Sequence, residues 1–169
     1  LLPRARSVPP LVSLPYFLSA NPLAGVLTGA EAQHAHVKRI EAGEHIMLID
    51  GCGLAAEVKV TAASKSEVRG EAVGHHTVQQ PTPRVTVVQA IPKSERAELA
   101  VDLAVQAGAD AIIPWISHRT IARWPENKQA KQVEKWQQQA LASAKQARRA
   151  WVPQLSLIHI SEPTRRTPI

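Results

Sequence analysis

Basic side chains recur in small groups along this chain: Lys38 with Arg39, Lys93 with Arg96, Arg119 with Arg123, and Lys145 with Arg148 and Arg149. A guanidinium fork gives two parallel hydrogen bonds to phosphate oxygens, and an ammonium supplies a compact positive charge, so the set suits an anionic ligand. The whole chain agrees in sign: 20 Lys and Arg against 14 Asp and Glu leave +6, with a pI near 9.9. Such a balance fits RNA, DNA or an acidic membrane surface as partner, or an ordinary solvated surface.

Other groupings carry less. His34 with His36, and His75 with His76, are two apart; on a helix that spacing points the rings away from each other, so no metal is expected. His159, Ser161 and Glu162 set a base, a nucleophile and an acid almost side by side in the final stretch. Cys52 is the single cysteine, which excludes an internal disulfide and a cysteine-rich zinc site and fits a reducing, cytoplasmic setting. No run approaches the roughly 18 apolar residues of a membrane span. Neither a Walker loop nor a dinucleotide fingerprint can be written over any stretch, so ATPase, kinase and nicotinamide-enzyme readings lose their support.

The elements that must position these residues divide in two. Residues 1–11 read as a disordered extension. From about residue 12 to 80 the segments are short and β-biased: "HIMLID" and "AAEVKVTA" flank "GCG" as a hairpin, and "EVRGEAV" supplies another strand. "EAQHAHVKRI" has helical spacing, with Gly43 as its stop. A small barrel with one helix follows. "QQPTPR" then forbids regular pairing and marks a linker.

From residue 84 the pattern changes. "VTVVQAI" and "AIIPWI" are continuous apolar runs of the kind buried on both faces of a parallel sheet. Between them the spacing predicts a helix with Ser94 as N-cap, an apolar stripe of Leu99, Ala100, Leu103, Ala104 and Ala107, and a stop at Gly108. Strand, helix and strand make a βαβ unit. A long helix is predicted over 127–150, with Val133, Trp136, Ala140, Ala144 and Ala147 against the sheet and Pro153 ending it. Trp115, Trp124, Trp136 and Trp151 all lie in this half, for core packing or for stacking on a base. Arg119, in "SHRT" after the second parallel strand, sits where open α/β sheets place ligand loops.

Taken together, "HAHVKRIEAGEHIMLIDGCG", "VTVVQAIPKSERAELAVDLAVQAGADAIIPWISHRTIARW" and "WQQQALASAKQARRAWVPQL" resemble the ribosomal RNA small subunit methyltransferase E family over residues 14–154. The resemblance implies a PUA-like RNA-binding β-barrel followed by an α/β SPOUT (knotted methyltransferase) domain, an α+β two-domain chain. It implies S-adenosylmethionine as cofactor, N3 of one uridine in 16S rRNA of the small ribosomal subunit as target, and a homodimer. By resemblance His34, Lys38 and Arg39 fall in a barrel motif, Asp50 and Gly51 in a turn motif, and Lys93, Glu95 and Arg96 at the start of the first catalytic-domain helix. Ser117 and Arg119 fall in a loop motif, and Gln146 and Arg148 at the end of the long helix. RNA contacts are expected from Lys38, Arg39, Lys93, Arg96, Arg119, Arg123, Lys145, Arg148 and Arg149, with Arg119 as the candidate for stabilising the developing uracil anion.

The family's "GPEGG"-type loop and "LG..ILR.ETA"-type knot segment do not occur in the chain. Residues 84–154 therefore read as the first part of the methyltransferase domain, and no cofactor-binding residue is assigned. "LSLIHISEPTR" matches the in-frame reading of the mosaic end and adapter used in transposase-based sequencing libraries, so 155–169 is expected to be a non-native tail. An incomplete α/β domain is expected to expose apolar surface. Two alternatives stay open: an RNA-binding module without catalysis, and an unrelated α/β enzyme acting on a small anionic substrate.

Overall fold

A computed structural model describes residues 14–116, 121–156 and 159–160, with backbone alone at 94, 95, 159 and 160. Two sheets divide the chain. In the first, β1 (Tyr16–Leu18), β2 (Val26–Thr28), β3 (His45–Ile49), β4 (Leu54–Ala63) and β5 (Glu67–Thr77) take the order β1-β3-β4-β5-β2. The β1–β3 ladder is parallel and the others are antiparallel. The result is a half-barrel in which no ladder joins β1 to β2; a side-chain bond from Ser19 Oγ to the Val26 carbonyl, 3.2 Å, spans that gap. Helix α1 (Gly29–Val37) closes the core with Ala32 and Ala35 against Phe17, Leu27, Ile46, Leu48, Val58, Val60 and Val68.

The "GCG" hairpin is present. Asp50 Oδ1 accepts from the Cys52 and Leu54 amides at 2.7 and 3.0 Å, and Gly51 and Gly53 hold positive φ. Gly53 has a second constraint. A Cβ there would lie 2.7 Å from the Val78 carbonyl oxygen and 2.8 Å from the Trp151 indole, so the hairpin is also a docking surface for the other half.

The second sheet is parallel: β6 (Thr86–Ala90), β7 (Ala111–Ile116), β8 (Gln154–Leu155) and β9 (His159–Ile160), with β8 and β9 both paired to β7. Helices α2 (Ser94–Gln106) and α3 (Glu126–Gln146) cover one face, burying Val101, Val105, Ile112, Trp136, Ala140 and Ala144 together. Short stretches of the expected tail thus lie beside β7: Leu155 pairs with Ile112, and His159 with Trp115.

Three expectations are corrected. First, "VTVVQAI" is buried on one face only: Val87 packs on the helices while Val88 is exposed. Second, the buried stripe of α2 runs through Val101 and Val105, flanked by Ala97 and Ala104, whereas Leu99 and Leu103 are 54% and 56% exposed; Lys93, not Ser94, holds the cap position. Third, both polar helices end early. Helix α1 stops at Val37 and α3 at Gln146 because Arg39 and Arg148 turn left-handed, with φ of 57° and 54°. At each end the next amide reaches back over the turn: Ile40 to the Ala35 carbonyl at 3.1 Å, and Arg149 to the Ala144 carbonyl at 2.9 Å. This is the Schellman arrangement, built on arginine where glycine is the usual occupant.

Candidate nucleic-acid interface

The ends of α1 and α3 meet. Between them lies an open cleft of about 540 Å³, lined in part by Tyr16, His34 and Lys38 of the first half and Lys145, Gln146 and Arg148 of the second. Lys145 is fixed by Glu31: its Nζ lies 2.6 Å from Glu31 Oε1, with the side chains 12% and 19% exposed. The other Glu31 oxygen accepts the Leu18 amide at 3.1 Å, which ties the pair to the edge of β1. Lys38 lays its ammonium 5.9 Å from the centroid of the Phe17 ring. The His34 ring meets the same Phe17 edge-on, at 5.4 Å between centroids.

Burial, and then the positive charges of Lys145 and Lys38, hold the His34 pKa below its ordinary value of 6.5 against the opposing pull of Glu31. The imidazole is therefore neutral near pH 7. The described lining contains no carboxylate, so the cleft presents cations to whatever enters it.

The halves are joined beside this cleft by two backbone hydrogen bonds and one from a side chain. Gly53 donates to the Ala150 carbonyl at 3.1 Å, Val152 to the Gly51 carbonyl at 3.0 Å, and the Trp151 indole N–H to the Val78 carbonyl at 2.8 Å. Ile49, Ala55 and Ala150 form a small buried cluster under the joint, with Tyr16, Leu18, Met47 and Val152 packed on it.

The expected RNA-contacting residues separate accordingly. Lys38, Lys145 and Arg148 come together in the cleft, with Arg39 exposed one residue beyond Lys38. Arg123 lines a different hollow, of about 270 Å³, with Pro92, Ala97, Glu98, Trp124 and Lys135. There Lys135 pairs with Glu98 at 2.6 Å, and Lys93 and Arg96 stand exposed on the neighbouring first turn of α2. Arg119 and Ser117 lie outside the described residues, as do Ser161 and Glu162, and His159 is described by backbone alone.

Arg149 turns inward. Its guanidinium donates to the Val105 and Ala109 carbonyls at 3.0 and 2.6 Å and to Asp110 Oδ1 at 3.1 Å. Asp110, 5% exposed, also accepts the Val85 amide at 2.9 Å. The group fastens the end of α2 to the starts of β6 and β7, and it is not brought to the cleft.

Three of the four tryptophans are used for packing. Trp124 and Trp136 make an edge-to-face pair at 5.0 Å, with Trp136 fully buried, and Trp151 seals the hairpin. Sequence reasoning missed Glu31 and Asp110, the two acids that fix Lys145 and Arg149. It also missed Gln137, whose side-chain amide donates to the Pro153 carbonyl at 3.1 Å and accepts from the Leu155 amide at 3.1 Å.

Comparison with known proteins matches residues 78–162 to the RNA methyltransferase domain and residues 27–73 to the RNA methyltransferase PUA domain. The chain is 38% identical over 147 residues to the ribosomal RNA small subunit methyltransferase E of Mycobacterium bovis, covering 85% of this chain and 56% of that protein. The Bacillus subtilis protein of the same name is 26% identical over 135 residues, covering 79% of this chain and 53% of its own length. The chain thus spans about half the length of the curated relatives it matches. A crystal structure of the Neisseria gonorrhoeae ribosomal RNA small subunit methyltransferase E, bound to S-adenosyl methionine, superposes with a TM-score of 0.77 at 27% identity, covering 89% of this chain and 67% of that one.

Proposed function

The chain belongs to the RNA methyltransferase family, in its form with a PUA domain, and from that premise we propose that its function is methylation of N3 of a uridine in 16S rRNA. The likeness in sequence to proteins named ribosomal RNA small subunit methyltransferase E supports this target. The reading extends to a homodimer acting in the cytoplasm on 16S rRNA or the small ribosomal subunit. One observation carries the RNA part: Lys38 of the PUA half and Lys145 and Arg148 of the methyltransferase half face one cleft.

S-adenosylmethionine, present in the Neisseria relative, supplies an electrophilic methyl group on a sulfonium when bound. Neither hollow described above fits it. The cleft confronts a sulfonium with Lys38, Lys145 and Arg148, and the smaller hollow places Arg123 beside a Glu98 already paired to Lys135. We assign these residues to the RNA instead. They bind and orient the strand, and cations near the target would stabilise negative charge developing on the uracil ring. Arg119 remains our candidate for that last role, with Arg123 four residues on.

The 169-residue chain by itself is expected to bind RNA and to give no heat with S-adenosylmethionine in titration calorimetry. Saturable binding of the cofactor by the isolated chain would overturn that second statement. For the family activity, N3-methyluridine in 16S rRNA is expected to disappear when the gene is disrupted, as read by mass spectrometry of nuclease fragments; unchanged modification would refute the assignment.

A further inference from the structure

We propose that the cleft between the ends of α1 and α3 is a phosphate site for single-stranded RNA, gripped by both halves of the molecule at once. Lys38 acts from one wall and Arg148 from the other, and Lys145 is fixed between them. The inference rests on the RNA-acting reading above and goes beyond it by naming where the strand crosses from one domain to the other.

Size and charge fit. A space of about 540 Å³ lies within the range of roughly 300–1,000 Å³ typical of small-ligand sites, enough for a nucleotide unit. Its described lining carries Lys38, Lys145 and Arg148 and no carboxylate, with the charge of Lys145 offset by Glu31 behind it. Glu31 stands behind Lys145, holding that ammonium in place at 2.6 Å. A cation already immobilised loses little side-chain entropy when a phosphate arrives.

The backbone gives an independent reason. Arg39 and Arg148 occupy left-handed positions, φ 57° and 54°, at helix ends where glycine would sit without steric cost. Strain of this kind persists only where the surrounding structure holds it, here the helix-ending hydrogen bonds of Ile40 and Arg149, and it clusters at ligand-binding sites. The two strained arginines sit at the two helix ends that frame the cleft, one immediately after Lys38 and the other in its lining. Cations there also offset the negative ends of the two helix dipoles, which would otherwise repel an incoming anion.

The test uses the whole chain, a fluorescently labelled uridine-rich single-stranded RNA, and anisotropy over a series of salt concentrations, with no methyl donor. For single strands each phosphate contact contributes about 0.7 to the slope of log affinity against log salt. Lys38→Gln and Arg148→Gly are each expected to lower the slope by about 0.7, and the double variant by about 1.4. Lys65→Gln, an equal loss of charge in the exposed β4–β5 turn, is expected to leave it unchanged.

Arg148→Gly relieves the left-handed backbone, so it is expected to melt no earlier than the parent, and weakened binding cannot then be ascribed to misfolding. Excess inorganic phosphate at matched ionic strength is expected to compete weakly, as an RNA strand engages more than one site. If the chain binds RNA and the cleft variants keep the parental slope, or Lys65→Gln lowers it equally, the cleft site is overturned and the RNA-acting reading stands. If the parent shows no salt-dependent RNA binding, both fall.

Discussion

Replacing Arg149 with Ala separates a structural cation from an RNA-binding one. Arg149 reaches the Val105 and Ala109 carbonyls and Asp110 Oδ1, and the Arg149 and Asp110 side chains are 16% and 5% exposed. Truncation leaves the Asp110 carboxylate largely buried with only the Val85 amide at its other oxygen. Removing one partner of a buried pair costs about 3–5 kcal/mol, since the surviving charge is left uncompensated. For a chain of this size that corresponds to a fall in melting temperature of about 6–20 °C. Tryptophan fluorescence reads the relevant half selectively, because Trp115, Trp124, Trp136 and Trp151 all lie after the linker. Urea unfolding by fluorescence should therefore shift strongly, while the salt slope for RNA, measured where the variant is folded, should match the parent. A stability loss under about 1 kcal/mol together with a lower salt slope would refute this assignment and return Arg149 to the RNA surface.

The Glu31–Lys145 pair should show coupling in a double-mutant cycle of Glu31→Gln and Lys145→Met, about 1–3 kcal/mol by denaturant unfolding, because both partners are more than four-fifths shielded; additive effects would deny the pair a role in joining the halves. Gly53→Ala should cost about 2–4 kcal/mol in thermal unfolding, since its Cβ would meet the Val78 carbonyl and the Trp151 ring at positive φ; a near-neutral result would mean the joint yields easily. His34 has a lowered pKa in the folded state, so the unfolded chain binds more protons as pH falls through 6.5 and stability falls with it. The parent should therefore lose more stability than His34→Gln between about pH 7.5 and 5.5 in urea titrations; equal losses would exclude His34 as the group responsible.

The hairpin of β3 and β4 was legible because glycines bracket a turn between strand-like runs, a local pattern that tertiary contacts did not need to override. The stripe of α2 was not. "ELAVDLAVQ" offers two apolar faces, one through Leu99 and Leu103 and one through Val101 and Val105. Side-chain size favoured the first; the sheet selected the second, because Val101 and Val105 are the positions that reach Ile112 and Trp136. Charge counting likewise grouped Arg148 with Arg149, although the left-handed turn at Arg148 sends one outward and the other into the protein. Glu31 and Asp110 gave no sequence signal at all: partners separated by 114 and 39 residues leave no local spacing to read.

How the halves are joined bears on how RNA would be held. A flexible linker would let the PUA half and the α/β half find the strand separately, and ordering them on binding would cost affinity. Here the backbone hydrogen bonds of the hairpin, the Trp151 indole and the Glu31–Lys145 pair join the two sheets without help from any ligand. Lys38 and Arg148 are consequently positioned against each other by folding, and the entropic cost of bringing them together is met before RNA arrives. The joint and the cleft share elements: α3 supplies Lys145 to one and Arg148, just past its end, to the other, and α1 supplies Glu31 and His34. Weakening the joint should therefore weaken RNA binding even when every cation of the cleft is retained.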